Sequence, residues 1–141
     1  MIVGQNPVGN ATVEKVAAAV AAKAVGPDKP KYVDYAAYRA KGGYRLIADC
    51  LAGKRTREDL TKIMEDSGLR GLGGAGFPAG RKWRLVAAEP APRVMAVNID
   101  EGEPGTFKDR DLLRYNPHIV IEGMAIGAYA MGITAGSNYI H

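Results

Sequence analysis

The sequence predicts an α/β chain in which short helices precede a strand–helix–strand unit. Three observations carry this. Apolar residues recur at three- and four-residue spacing between Thr12 and Ala88 and again after Asn116, the period of helices that bury one stripe. Arg93-Val94-Met95-Ala96-Val97-Asn98 is a short apolar run bounded by prolines and acidic residues, the pattern of a strand. Between the helices lies Gly71-Leu72-Gly73-Gly74-Ala75-Gly76-Phe77-Pro78-Ala79-Gly80-Arg81-Lys82-Trp83, where glycines replace most side chains.

Bulk properties exclude several classes of function. A hydrophobic fraction of 47% and a charged fraction of 24% over 141 residues are those of a soluble globular chain with a core. The net charge is only +4, and no Lys/Arg run is interleaved with aromatics, so no nucleic-acid partner is expected. Cys50 is the only cysteine, too few for a disulfide framework or for holding an iron–sulfur cluster. With two histidines there is no zinc set, and metal ligation by this segment is not expected. No stretch approaches the ~18 apolar residues of a membrane span, so no direct membrane insertion is expected. Met1–Pro7 lacks the regions of a signal peptide, and the composition suits the cytoplasm.

In chain order, Met1-Ile2-Val3 starts a strand that Gly4–Asn10 turns. Thr12 caps a helix with Val13, Val16, Ala17 and Val20 on one face, running into Lys23–Gly26. Pro27–Lys31 has the composition of a linker. Tyr35–Lys41 forms a short helix after Asp34. The next has Tyr44, Ile47, Ala48 and Leu51 on its face, with Cys50 beside it as a packing residue, and ends at Gly53. Thr56 and Asp59 form a capping box for a third helix, with Leu60, Ile63 and Met64 inward and Gly68 at its end. Lys82–Ala88 makes a helix with Trp83 as a core anchor. Asn116-Pro117 is a helix start, with Asn as cap and Pro first inside; Ile121, Met124, Ala125, Ala128 and Tyr129 are its expected buried face. Gly123 and Gly127 mark a close helix–sheet contact, Gly132 ends the helix, and Ser137–His141 begins a second extended run.

Two loops carry the chemistry. Gly71, Gly73 and Gly76 spell G-x-G-x-x-G, with Gly74 beside them and Lys82 supplying a cation. Bare backbone there lets N–H groups approach a phosphate. An ordinary Rossmann fingerprint needs a strand just before the first glycine, and a helix precedes this one. The second loop, Asn98–Arg110, follows the strand, and ligands bind beyond the carboxyl ends of strands in open α/β sheets. Asp100, Glu101 and Glu103 suit sugar or ribityl hydroxyls, and Asn98 both donates and accepts. No nucleophile–base set competes: His118, just inside a helix start, has the setting of a structural residue, so chemistry is assigned to a bound cofactor.

These two loops, followed by Asn116-Pro117-His118 and Ile121-Glu122-Gly123-Met124, resemble one family. It is the NADH-binding FMN flavoprotein subunit shared by respiratory complex I, NAD-linked hydrogenases and NAD-dependent formate dehydrogenases. The resemblance implies that residues 34–141 are the N-terminal part of a Rossmann-like FMN/NADH-binding domain, joined through 27–33 to residues 1–26. That first stretch resembles the closing strand–turn–helix of a thioredoxin-like [2Fe–2S] domain. Leu72, Ala79 and Arg81-Lys82-Trp83 look most like the formate dehydrogenase beta subunit, whereas Arg114–His118 and Asn138–His141 look more like complex I. Carried over by position, Gly71, Gly73, Gly74, Gly76 and Lys82 would face FMN, with Asn98, Asp100 and Glu101. Glu101 is also a candidate tuning residue. Phe77 and Glu103 would contact NADH, and a second aromatic of that pocket falls at Leu85.

The implied reaction is hydride exchange between NAD(H) and FMN, with single electrons passing to or from iron–sulfur clusters elsewhere in the full subunit. The implied partners are a molybdenum or tungsten formate dehydrogenase catalytic subunit and a small iron–sulfur subunit, or their complex I or hydrogenase equivalents. The alternative of another class is a docking module without catalysis. The chain is expected to be a segment of a longer protein that by itself holds no cluster and binds FMN weakly.

Overall fold

Thr12, Asp34 and Thr56 cap three of the helices through their side chains, and long-range contacts decide which faces are buried. The computed structural model describes residues 1–26 and 31–140. It divides into two compact units, Met1–Lys31 and Tyr32–His141.

In the first unit, β1 (Ile2–Val3) and β2 (Asn6–Pro7) form an antiparallel hairpin across Gly4-Gln5. Gly4 has φ +62°, and a Cβ there would lie 2.6 Å from the Val25 carbonyl oxygen. The same carbonyl accepts the Gln5 N–H at 2.6 Å, and Asn6 Nδ2 donates to Ala24 O at 3.0 Å. The hairpin is thereby stitched to the residues after α1 (Val13–Ala21). Thr12 Oγ1 accepts the Lys15 N–H at 3.3 Å, as its cap position predicts. The helix stops at Ala21, short of the expected Lys23–Gly26, because Lys23 turns left-handed with φ +52°. Its apolar stripe is present but none of it is buried. Of the expected linker, residues 27–30 lie outside the described residues.

The second unit begins with α2 (Tyr35–Ala40), capped by Asp34 Oδ1 accepting the Ala37 N–H at 2.8 Å. Then come α3 (Arg45–Leu51), α4 (Arg57–Asp66) and α5 (Ala79–Ala88). The capping box of α4 is complete: Thr56 Oγ1 accepts the Asp59 N–H, and Asp59 Oδ2 accepts the Thr56 N–H. Strand β3 (Val94–Ile99) leads through α6 (Lys108–Tyr115) and α7 (Pro117–Met131) to β4 (Ala135–Ile140). The strands pair in parallel, with Val94 opposite Ala135 and Ile99 opposite Ile140. Helix α7 is the common wall, packing on α3, α4, α5, α6 and β4. Cys50, Leu60 and Ala130 form the buried centre, with Ile47, Trp83, Ile126 and Tyr129 packed around it.

Several faces differ from expectation. On α3 the inward pair is Ile47 and Cys50; Cys50 is 1% exposed and Leu51 76%. On α4, Thr61 is buried and Ile63 exposed, since Thr61 Oγ1 satisfies itself on Arg57 O at 3.0 Å. Helix α7 buries Glu122, Gly127, Ala130 and Met131 instead of the predicted set. It is apolar nearly all round, so sequence alone marks no single face. Pro117 holds the first helical position, but the Asn116 side chain makes no cap, and its Oδ1 is buried without a partner. Of the two glycines, only Gly127 is in a close contact: a Cβ there would meet Met95 Cε at 3.4 Å and Trp83 Cζ2 at 3.6 Å. A Cβ on Gly123 would meet nothing within 4 Å. Two further differences bear on the site. Helix α5 begins at Ala79 instead of Lys82, and α6 occupies residues expected to be loop.

Two contacts set the frame. A Cβ on Gly80 would overlap the backbone of Met64 and Glu65, so α4 and α5 touch main chain to main chain. Tyr38 Oη donates to the buried Glu122 carboxylate at 2.6 Å, and Tyr44 Oη and His118 Nδ1 lie 2.8 Å apart, tying α2 and the start of α3 to α7.

Gly80→Ala is expected to cost about 3 kcal/mol or more in urea unfolding, because backbone cannot move aside as a side chain can. Gly127→Ala, facing flexible Met tips, is expected to cost under about 1.5 kcal/mol. Donation to the Glu122 carboxylate pushes the Tyr38 phenol up to about 12 from 10.0. A raised folded pKa means that this stabilisation is full below pH 10.0 and disappears as the pH climbs through about 12. Tyr38→Phe should therefore lower stability near neutral pH by about 1.5–3 kcal/mol and remove that alkaline decline, both read from unfolding midpoints against pH.

Candidate functional site

The glycine loop is a closed excursion between α4 and α5. Gly68, at φ +65°, ends α4, and Ser67 Oγ accepts the Leu69 N–H at 3.2 Å. The chain then leaves and returns across an isolated bridge between Arg70 and Pro78. The Gly71 N–H donates to Phe77 O at 2.9 Å, the Ala79 N–H to Leu69 O at 2.8 Å, and Arg70 Nη1 to Gly76 O at 2.9 Å. Gly74 and Gly76 adopt φ +111° and +59°, which L side chains resist. A Cβ on Gly73, Gly74 or Gly76 would meet nothing within 4 Å, so this backbone faces outward. Leu72, 99% exposed, crowns the loop.

The loop runs straight into the first turn of α5, where Pro78 supplies no side-chain cap. Among the described residues, the N–H groups from Leu72 to Gly76 and those of Gly80 and Arg81 donate to no protein acceptor. Lys82 follows in the same turn. Arg81 lies over the Phe77 ring at 5.6 Å and steadies it at the loop's edge. This start of α5, three residues earlier than expected, gives the glycine loop a helix N-terminus whose dipole favours an anion.

The acidic loop leaves the carboxyl end of β3. Asn98 Oδ1 accepts the Asp100 N–H at 2.9 Å, which turns the chain and leaves the Asn98 amide group as a donor. Glu103-Pro104-Gly105-Thr106 is a tight turn: the Thr106 N–H reaches Glu103 O at 3.1 Å, and Gly105 has φ +82°. Glu101 does something the sequence did not reveal. Its Oε1 accepts the Asp109 N–H at 2.9 Å and its Oε2 the Arg110 N–H at 3.2 Å, capping α6 from seven residues upstream of the helix. Its side chain is only 6% exposed. Lys108 lies 3.9 Å from Glu101 and 2.9 Å from Asp109, whose bond holds the ammonium above its ordinary range. The missed helix did leave a signal: Asp109 and Asp111 fall in its first turn and Arg114 in its last, matching the dipole.

Among the described residues no hydrogen bond or ion pair joins the two loops. They are related through α7, since Trp83 of α5 and Met95 of β3 both approach it at Gly127. His118 and the tyrosines Tyr35, Tyr38 and Tyr44 form a ring cluster with centroids 5.3–6.0 Å apart, the structural role expected of His118.

Residues 64–141, more than half of the chain, match the Nuo51 FMN-binding domain. The chain belongs to that family. This Nuo51-type chain is 47% identical over 104 residues to an NADH-quinone oxidoreductase subunit of Rhizobium meliloti, covering 73% of this chain and 24% of the relative. It is 42% identical over 130 residues to the HndC subunit of the NADP-reducing hydrogenase of Solidesulfovibrio fructosivorans, covering 92% of this chain and 26% of that one. A crystal structure of NAD+-reducing [NiFe]-hydrogenase in the air-oxidised state aligns with a TM-score of 0.64 at 25% identity, covering 99% of this chain and 27% of that one. In the H2-reduced state the values are 0.57 and 42%, over 61% of this chain and 15% of that one. The chain thus spans about a quarter of the length of the curated relatives it matches. Among the described residues no helix is long and apolar enough to cross a membrane.

The residues fit the family's cofactor. Outward-facing glycine backbone, unpaired amides, a helix N-terminus and Lys82 make a donor set for a phosphate, while Asn98 and the carboxylates of 100–103 provide mixed and accepting groups for hydroxyls and a ring edge. Glu101→Ala should loosen the first turn of α6, raising amide exchange at Asp109 and Arg110 about tenfold or more, as the loss of charge-assisted bonds worth about 1.5–3 kcal/mol requires. Nuclear magnetic resonance exchange rates check this residue by residue.

Proposed function

We propose that this chain supplies the FMN- and NADH-facing loops of an NAD-linked electron-transfer flavoprotein subunit. The observation that carries the proposal is the outward glycine loop feeding directly into the N-terminus of α5 in a chain of the Nuo51 FMN-binding domain family. In this reading Gly71, Gly73, Gly74 and Gly76 present backbone amides to the FMN phosphate, and Lys82 adds a cation. Asn98, Asp100 and Glu101 orient the cofactor's hydroxyls and ring edge. Phe77, steadied by Arg81, stacks on the NADH side, and Glu103 accepts from its ribose. FMN, when bound, supplies the conversion between hydride transfer with NAD(H) and single-electron transfer to iron–sulfur clusters. The chain's own task is to align the two ligands and to surround them with fixed charge.

The names of the relatives support a complex I-type or hydrogenase-type parent. The finer reading, a formate dehydrogenase beta subunit working with a molybdenum or tungsten catalytic subunit in the cytoplasm, rests on Leu72 and Ala79. Residues 1–26 belong, in the same proposal, to the end of a thioredoxin-like domain, joined through 27–33 to the flavoprotein part from 34 onward. The hairpin and helix of the first unit support that division.

The full assembly tests the proposal. Lys82→Ala should lower FMN retention about tenfold, the scale of a lost charge-assisted hydrogen bond to phosphate. Glu103→Gln should leave FMN content intact and raise the KM for NADH in dye reduction. Unchanged dye reduction in both variants would establish a docking module instead. Electron transfer from NADH to quinone, hydrogen exchange with NAD, or formate oxidation by the purified assembly distinguishes the parents.

A further inference from the structure

A second, smaller site lies at the other end of β3 from Asn98. A cavity of about 130 Å³ is lined by Arg57, Glu58, Thr61, Arg84, Arg93 and Met131, among others. Three guanidinium groups meet there, and they are not equivalent. Arg84 is neutralised, bonding Glu65 at 2.7 and 2.8 Å and Glu58 at 2.9 and 3.3 Å. Among the described residues, Arg57 and Arg93 have no carboxylate partner. Both press on Gly132, the left-handed residue after α7: a Cβ there would lie 2.9 Å from Arg57 Nη1 and would overlap Arg93 Nη2.

Each of these two cations is already held in place. Arg57 lies over the Tyr129 ring at 5.8 Å. Arg93 Nη1 donates to the carbonyls of Ala87 and Glu89, and its backbone carbonyl accepts from Thr134 N–H and Oγ1 at 3.0 Å. Its Nε, however, is buried with no hydrogen-bond partner. A guanidinium cannot shed its proton to relieve this, so an unmet donor remains on a fixed charge. The carboxyl end of α7 offers about half a negative charge, and Glu58 and Glu65 exceed Arg84 by one, so the three arginines keep a small net positive excess. Arg57 Nη1 and Arg93 Nη2, which converge on Gly132, suit planar or tetrahedral oxygen ligands.

We propose that Arg57 and Arg93 bind one small oxyanion, a phosphate or a carboxylate, in this cavity. The ion accepts from the Nη groups of both guanidinium forks and screens their mutual repulsion, clamping the end of α7 to the entry of β3.

The 141-residue chain is titrated with sodium phosphate and with sodium acetate against sodium chloride at matched ionic strength. Calorimetry reads binding, and mass spectrometry reads protection of Arg57 and Arg93 from phenylglyoxal. Saturable one-to-one binding of phosphate with at least fivefold protection of Arg57, lost in Arg57→Gln, is the expected result. Arg57 is exposed, so that substitution leaves no buried charge behind. Arg93→Lys, which keeps the charge and loses the fork, should weaken binding about tenfold. Saturation by acetate in place of phosphate also supports the site and assigns the oxygen ligand to a carboxylate. Equal protection in all three salts, or protection of Arg93 by phosphate unchanged in Arg57→Gln, overturns the proposal, and the protection arm decides on the unaltered chain alone.

Discussion

The contact at Gly80 is the constraint on which the glycine loop depends. Because α4 and α5 meet backbone to backbone there, the ten residues between Leu69 and Pro78 must leave and return at nearly one place. The Ala79–Leu69 and Gly71–Phe77 hydrogen bonds then close the base of the loop, and what projects beyond is almost wholly main chain. A side chain at position 80 would part the helices and open that base. The glycines therefore perform three different tasks within ten residues. Gly80 permits helix contact, Gly74 and Gly76 permit left-handed backbone, and Gly73 keeps the outer surface bare. Only the last two tasks bear on the ligand role proposed for the loop.

A second constraint sits one layer deeper. Among the described residues no hydrogen bond or ion pair joins the two loops, and both pack through their flanking elements on α7. Trp83 and Met95 both pack on this helix at Gly127, where an added Cβ would be in ordinary van der Waals contact with each. The hydrogen bonds of Tyr38 to Glu122 and of Tyr44 to His118 then hold α2 and α3 to the first turns of α7. Side chains outside both loops thus determine where the loops stand, since close-packed interiors transmit displacement instead of absorbing it.

What could be read in advance was local. The Thr56–Asp59 box, the Thr12 and Asp34 caps, Pro117 at the first helical position and the glycines ending α4 and α7 depend on residues within four positions of one another. The strand at 94–99 was visible for the same reason, and the glycine-rich and acidic runs do stand in the loops before α5 and after β3. The failures were long-range. Cys50 rather than Leu51 faces inward because Leu60 and Ala130 lie on that side, which periodicity over seven residues cannot show. The buried face of α7 was hidden by apolar residues all round it. Helix α6 was overlooked because it is short and mostly charged, and its cap, Glu101, is too far upstream for any local capping pattern.

Glu101 shows why a site residue legible as a carboxylate could not be read as a geometry. Both of its oxygens already accept backbone N–H groups, so the carboxylate cannot rotate to suit whatever binds beside it. The carboxylate is thereby an acceptor fixed in direction by α6. A fixed charge costs no reorganisation when electron density shifts nearby, which is the condition for electrostatic tuning. It also explains why amide replacement at this position is not conservative. A glutamine keeps one acceptor but turns its NH2 against a backbone N–H, so it would set two donors face to face at the start of α6. The residue that caps the helix and the residue proposed to face the flavin are one side chain, and neither role can be altered without disturbing the other.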